Sequence, residues 1–390
     1  MKTKKKYFYY CPTCLSTNLR PNGYFELGKR CFPCQSEQKH SFVNYLARVN
    51  SLKLYLNELD NNSKKIEKNP KYNCIVGVSG GKDSTRQALW VRDRLGMKPL
   101  LVCISYPPIQ STELGKENLK NLINQGFDIV TYNPAPETSR QLTKRGFINF
   151  GNVSKATEMV LHSIVPKIAI EENIKIIFWG DNPATQTGDK ATLGSNIFDG
   201  NNLSKMNTLT EGSKKWIKEI GRYPSIYEDY FYPKKNEIDE HKINTIYLGP
   251  ALDKWTMLDN SIFSILHGLN YNKKSSKITG DYLQTSMLDE EYTNINMMIK
   301  YFKFGFGRAT DTVNTLIREN ELSREDAIKI VNDYDGVCSD KIINQFCNYI
   351  DISQKEFWDI VNSFTNKKIF STRKNKRPIK KFKVGESLEH

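Results

Sequence analysis

Long hydrophobic runs are what this sequence most lacks. No apolar stretch in its 390 residues approaches the ~20 that a membrane-spanning helix needs. The basic start, Met1 to Lys6, runs into an aromatic stretch and Cys11-Pro12 with no apolar core and no small-residue cleavage site, so a secretory signal is not expected and a cytoplasmic location is. Internal repeats at a fixed period are missing. Acids are outnumbered, 43 against 57 Lys and Arg, for a net charge of +14. Such a field draws in phosphate-bearing partners: nucleotides, nucleotide-linked sugars, RNA or an acidic membrane surface. What is present, 38% hydrophobic and 11% aromatic residues, is enough to bury cores for two or three domains.

Eight cysteines sort into two groups. Cys74, Cys103, Cys338 and Cys347 are scattered and read as small core residues. Cys11, Cys14, Cys31 and Cys34 form C-x2-C, sixteen residues, C-x2-C, the ligand spacing of a structural zinc site. Each pair offers two thiolates from one tight turn, and four close the tetrahedron. Pro12 and Pro33 suit such turns, and Asn22 to Gly28 has the look of a short hairpin. The alternatives are two disulfides, against which the missing export signal speaks, or a redox or iron–sulfur centre. With no open coordination position, this zinc would be structural.

The pattern divides the chain into a cysteine module (1–40), a helix and polar linker (41–70), an alternating region (71–250) and a mostly helical region (251–387). In 41–70 the apolar residues Phe42, Leu46, Val49, Leu52, Leu56 and Leu59 have helical spacing, and Asp60 to Pro70 reads as the linker. In 71–250, strands are predicted at Cys74–Val78, Leu100–Ile104, Phe127–Tyr132 and Ile174–Trp179, with a fifth at Thr245–Leu248. Helices are predicted over Ser84–Leu95, Leu114–Asn124 and, with a break at Pro166, Met159–Ile170. This is an α/β fold: a parallel sheet covered on both faces, with right-handed crossovers and the ligand at the carboxyl ends of the strands. Helices follow at Val313–Arg318, Arg324–Asp333, Asp340–Ile350 and Gln354–Phe364, and Ser323 with Asp326 forms a cap. Nine Lys and Arg without an acid, from Lys367 to Lys383, read as a solvated tail or as a docking strip for an anionic partner. Leu388-Glu389-His390 looks like the stub of a tag.

The segment Val76-Gly77-Val78-Ser79-Gly80-Gly81-Lys82-Asp83-Ser84 follows a strand and opens a helix. Gly80 and Gly81 let the backbone approach a phosphate chain, the helix N-terminus presents free N–H groups, Ser79 and Ser84 add hydroxyls and Lys82 a charge. Asp83 suits a magnesium ion bridging phosphates. G-x4-G-K-[ST] is absent, since Gly77 and Gly81 are one residue too close and Asp83 follows the lysine.

S-G-G-K-D-S in this setting resembles the PP-loop of ATP pyrophosphatases. That resemblance implies that ATP is split between the α- and β-phosphates, a substrate oxygen is adenylated, pyrophosphate leaves, and a nitrogen or sulfur nucleophile displaces AMP. Ile104 and Gly180, at the ends of two predicted strands, join the loop as expected nucleotide contacts. Three further features narrow the group: the cysteine quartet, Phe178-Trp179-Gly180-Asp181-Asn182-Pro183-Ala184, and Tyr301-Phe302-Lys303-Phe304-Gly305-Phe306-Gly307-Arg308-Ala309-Thr310-Asp311 with the later Tyr334-Asp335-Gly336. From Cys11 to about Gly336 the chain resembles the N-acetyl sugar amidotransferases of bacterial surface-polysaccharide and flagellin-glycan biosynthesis. The resemblance implies conversion of an acetamido group on a nucleotide-activated or acidic sugar to an acetamidino group, with ATP, Mg²⁺ and a structural Zn²⁺. It also implies ammonia from a separate glutaminase subunit, sometimes with a cyclase-like companion. Lys2 follows Met1 and no Gly-x-Cys-x-Gly elbow is present, so no glutaminase is expected within this sequence. The family's usual Gly-Glu-Asn-Pro has Asp181 in place of Glu here, a shorter reach for the same charge.

The expected catalytic residues are Lys82, Asp83, Asp181, Asn182 and Arg308, and the expected sugar contacts are Lys303, Arg308 and Asp311. Against these stand an Arg308–Asp311 ion pair and a simple Asn182-Pro183 turn. His162 and His267 read as packed or surface histidines, and Trp255 as core, with Asp253 and Lys254 near a substrate mouth. The rival activity is a tRNA thiolase, for which Cys103 is the reactive thiol that can be placed near the loop. A non-catalytic zinc-and-basic-tail adaptor for nucleic acid is the rival from another class, and it leaves Lys82–Asp83 unexplained.

Overall fold

The computed structural model describes residues 6–40, 45–61, 70–107, 109–207, 209, 217, 227–252, 254–273 and 276–389. Most of the expected 60–70 linker, and Asp253, lie outside them. The chain opens on β1 (Lys6–Phe8) and passes through the cysteine module to α1 (Phe32–His40) and α2 (Tyr45–Asn61). Then come β2 (Cys74–Val78), α3 (Lys82–Leu95), β3 (Pro99–Ile104), α4 (Glu113–Asn124), β4 (Ile129–Tyr132), α5 (Pro136–Phe150), α6 (Lys155–Glu171), β5 (Ile176–Trp179), the short α7 (Pro183–Gln186), α8 (Lys235–Glu240) and β6 (Asn244–Tyr247).

Strands β2 to β6 form one parallel sheet in the order β4-β3-β2-β5-β6. The chain walks outward from β2 in one direction and returns to continue in the other, so the strand order reverses between β2 and β5. A crevice opens there at the carboxyl ends of the strands. The S-G-G-K-D-S loop leaves β2 and Gly180-Asp181-Asn182 leaves β5, so topology alone sets the two side by side. Strands β2 and β3 are buried along their whole length, as a sheet covered on both faces requires. Val76 and Val78 pack with Ala88, Leu122 and Leu52 on one face, while Ile75 packs with Met159, Val160 and Val165 of α6 on the other.

Several sequence expectations are corrected. Helix α5 was not foreseen; its Phe147 is buried among C-terminal residues, stacked on Phe357 at 5.2 Å and edge-on to Phe346 at 5.4 Å. Helix α6 runs through Pro166 without ending. Residues 22–28 form turns and coil, with no strand pairing, in place of a hairpin. Helix α9 (Met257–Leu266) packs on α3.

The remaining elements are α10 (Ser276–Thr279), α11 (Thr293–Phe304), α12 (Arg308–Arg318), α13 (Arg324–Tyr334), α14 (Asp340–Ile350), α15 (Gln354–Phe364), β7 (Phe370–Ser371), β8 (Ile379–Lys380) and β9 (Leu388–Glu389). The basic segment is part of the fold and not a solvated tail. It makes the β7–β8 ladder, buries Phe370, Phe382 and Val384 in the C-terminal core, and lays β9 antiparallel to β1. Leu388 and Glu389 are therefore paired structural residues. Arg377 donates to the Cys338 carbonyl at 2.8 Å and lies over Trp358 at 5.2 Å. Among the described residues, no helix is long and apolar enough to cross a membrane.

Candidate active site

The loop after β2 has the form its glycines predict. Gly80 has φ +77, and a Cβ there would stand 3.0 Å from the Leu119 amide nitrogen of α4, so only glycine fits without strain. Gly81 is the N-cap of α3 and Thr85 N–H donates to its carbonyl at 3.0 Å. Ser79, Gly81, Asp83 and Ser84 line a cleft of about 270 Å³ together with Gly180 and Asp181. Lys82 is buried beneath it: its Nζ pairs with Asp83 Oδ2 at 2.7 Å, and its carbonyl accepts from Ser264 Oγ of α9 at 2.6 Å. Asn260 Nδ2, also from α9, donates to Asp83 Oδ1 at 2.6 Å. Both oxygens of Asp83 are thus oriented before any ligand arrives.

Across the crevice, Trp255 Nε1 donates to Asp181 Oδ1 at 2.5 Å. Asp181 is open to solvent at the mouth, yet the protein around it and then the charge of Asp83 push its carboxyl up to about 6, against the Trp255 bond and Lys82. Trp255 is therefore a site residue and not simple core.

A second cleft, of about 580 Å³, adjoins the first. Ser79, Leu161 and His162 line both. Its walls come from α6, from the cysteine module through Arg20, from α11 and α12 through Lys300, Lys303 and Asp311, and from Asp289. Asp289 is raised by burial, against hydrogen bonding from Tyr106 and Ser79, which ties it to the loop. Its neighbour Glu290 is pushed up to about 8 by burial and by Asp289. Burial lowers Lys303 to about 8, with Lys155 adding to the effect, and Lys303 Nζ donates to the Phe150 carbonyl at 2.8 Å. His162 lies 5.0 Å from the Trp179 ring, its Nδ1 is sealed without a partner, and burial lowers it to about 4, so the ring is neutral at pH 7.

The predicted residues divide accordingly. Ser79, Gly81, Asp83, Ser84, Gly180 and Asp181 meet in the loop cleft, with Gly80 and Lys82 shaping it from behind. Lys303 and Asp311 line the second cleft. Ile104 is buried in the core against α6. The Asn182 side chain caps α7, accepting from Ala184 N–H at 3.0 Å. Arg308 lines neither cleft, and its Nε and Nη2 are sealed without partners. The expected Arg308–Asp311 pair does not form, because Asp311 is taken by Arg20 and Lys300. F-G-F-G-R-A-T-D is a helix corner. Gly305 ends α11 at φ +74, and Asp335 accepts from the N–H groups of Gly307 (2.8 Å) and Thr310 (3.2 Å) at the start of α12. A Cβ on Gly307 would lie 2.6 Å from Asp335 Oδ1. Cys103 is buried in the sheet core, and burial pushes its thiol up to about 12, which argues against a reactive thiol. Arg20, Asn260, Asp289 and Lys300 were not singled out by sequence, since no local motif marks them.

The four module cysteines are buried, and their Sγ atoms all lie within 4.8 Å of one another. Cys14 and Cys31 Sγ are 3.6 Å apart, far beyond a disulfide bond of about 2.05 Å. Ser16 N–H donates to Cys14 Sγ at 3.4 Å and Cys31 N–H to Cys11 Sγ at 3.3 Å, bonds that favour thiolates. This donor set fits a tetrahedral metal ion.

Residues 278–386 match the family described as LPS biosynthesis protein WbpG-like, C-terminal domain. That match supports the resemblance to N-acetyl sugar amidotransferases of polysaccharide biosynthesis. No curated protein matches the chain. Among solved structures, NMN synthetase from Francisella tularensis is similar over 52% of this chain and 82% of that one, at 16% identity and a TM-score of 0.27.

Proposed function

We propose that this chain is an ATP-dependent amidotransferase that converts an acetamido group of an activated bacterial sugar to an acetamidino group. The observation that carries the reading is the wall shared by the two clefts. Ser79, Leu161 and His162 line both, so a sugar in the larger cleft presents its amide oxygen to a nucleotide at the loop.

The amide oxygen attacks the α-phosphorus, the bond to the bridging oxygen of the β-phosphate breaks, and pyrophosphate leaves. Ammonia then adds to the activated carbon, a proton is lost, and AMP departs. The Gly80 and Gly81 backbone, the N-terminus of α3 and Lys82 stabilise the charge growing on pyrophosphate. Asp83 and Asp181 are the residues for Mg²⁺: Asp181, raised by burial and by the charge of Asp83 in the same cleft, is relieved by a divalent cation. Mg²⁺, when bound, neutralises phosphate charge. His162, held neutral, offers a hydrogen-bonding nitrogen at the junction without adding charge. Lys303 and Asp311 face the sugar, and the cysteine quartet takes Zn²⁺. Ammonia comes from a glutaminase partner in this reading, and nucleic acid has no part.

The test is incubation with ATP, Mg²⁺, ammonium and a panel of diacetamido sugar nucleotides. AMP and an amidine product are expected. Protein that binds ATP but yields neither product across the panel would overturn the reading.

A further inference from the structure

We infer that Arg20 contacts the acceptor, and that the cysteine module carrying it is a working wall of the acceptor cleft. Metal loading of the four thiolates then governs the acceptor side and leaves nucleotide binding intact. The inference rests on the reading of the larger cleft as the acceptor site.

Arg20 leaves the module on the turn Arg20-Pro21-Asn22-Gly23. Gly23 N–H donates to the Arg20 carbonyl at 3.0 Å and Asn22 has φ 55, a value suited to the third residue of such a turn. Gly23 leaves room for the arginine stem, since a Cβ there would stand 3.0 Å from Arg20 Cγ. The guanidinium lies 3.9 Å over the Phe306 ring and pairs with Asp311 Oδ1, while Lys300 holds Asp311 Oδ2 at 2.6 Å. Arg20 and Pro21 both line the cleft.

The module is docked from both sides of that cleft. Leu15 N–H donates to Asn314 Oδ1 at 2.7 Å and Thr17 Oγ1 to the Phe304 carbonyl at 3.1 Å. On the opposite wall, Asn22 Nδ2 donates to Asp189 Oδ1 at 2.9 Å. No residue of the module lines the loop cleft. The module's own core is the four cysteines with Tyr9 and Phe25. Phe8, Tyr10 and Leu15 anchor the strand side of the module in the C-terminal core, whereas the cysteine side has only this small cluster, so there metal bound by the four thiolates would add the folding free energy that apolar burial does not supply.

The test uses the full-length protein, stripped of metal by a chelator that is then removed, beside protein reloaded with Zn²⁺. ATP affinity with Mg²⁺ present should agree between the two within about twofold, while amide hydrogen exchange quickens over 304–311 and not over 74–95. Arg20→Ala should keep its metal and its ATP affinity but raise KM for the acceptor by about tenfold or more, the loss expected for one charged contact, with Arg20→Lys recovering part. Loss of ATP affinity together with the metal, unchanged exchange at 304–311, or an unchanged acceptor KM in Arg20→Ala would each overturn it. If the unmodified enzyme turns over no acceptor, the amidotransferase reading fails, and the exchange and ATP arms still decide this inference.

Discussion

Trp255 donates its indole N–H to Asp181, joining the segment after β6 to the segment after β5 at the carboxyl edge of the sheet. The ring is wedged between two glycines. A Cβ on Gly180 would lie 2.4 Å from its Cζ2, and one on Gly249 2.7 Å from its Cδ1. Gly180 thus serves the site by admitting the ring that orients the carboxylate.

Asp181 should set the acid limb of activity. Its ionised form exists above about 6, so activity should fall as pH drops through that value. Asp181→Asn should lose about 10²-fold in rate and flatten the limb, and Trp255→Phe should move the limb to higher pH by removing a bond that favours the ionised form. A pH–rate profile of each variant decides, and an unchanged limb in Asp181→Asn would count against the assignment.

The same shift has a stability consequence. The folded pKa lies above the ordinary 3.8, so the folded state binds this proton more tightly than the unfolded chain. Ionisation therefore costs folded stability, fully above about pH 6 and not at all well below 3.8. Without nucleotide or Mg²⁺, Asp181→Asn should melt above the unmodified protein near about pH 8, with the gap closing toward about pH 4. Melting curves at the two pH values, run with and without Mg²⁺, are the check.

The thiol at the end of β3 should be dispensable. Cys103→Ala removes a buried sulfur and should lower stability by about 1 kcal/mol, while folded enzyme keeps its rate of AMP formation. Loss of activity with the melting temperature retained would revive the thiolase reading.

The C-terminal segment should behave as core and not as a tail. Phe382 packs on Phe8 at 4.9 Å and on Phe370 at 5.5 Å, so Phe382→Ala should cost about 3–5 kcal/mol. Exposed Lys374→Glu should stay within about 0.5 kcal/mol. Denaturant unfolding of both variants separates a structural segment from a charged appendage.

Strands β2 and β3 were legible because a doubly covered strand is a continuous apolar run, and α4 because Gly126 stops it, while its Thr112 cap was shown by the structure. The Thr112 side chain accepts from Gly115 N–H at 2.9 Å. Helix α5 was not legible: Leu142 and Phe147 are too sparse among polar neighbours to announce a period, and the partners of Phe147 lie in the C-terminal core. The basic run misled because charge heads dominate its composition while Phe370, Phe382 and Val384 do the burying. The helix corner around Arg308 misled in another way, since aromatic and glycine residues beside charges mark a tight packing angle as readily as a ligand site.

By itself the sequence determined the parallel α/β sheet, the phosphate-type loop and the thiolate quartet. Each is written in neighbouring residues, where backbone freedom, period and ligand spacing act over a few positions. Only the tertiary structure decided which side chains meet in the larger cleft. Arg20 and Asp311 pair across a separation of 291 residues, and no local pattern encodes a contact that exists only once the module, the sheet and the C-terminal helices have packed together.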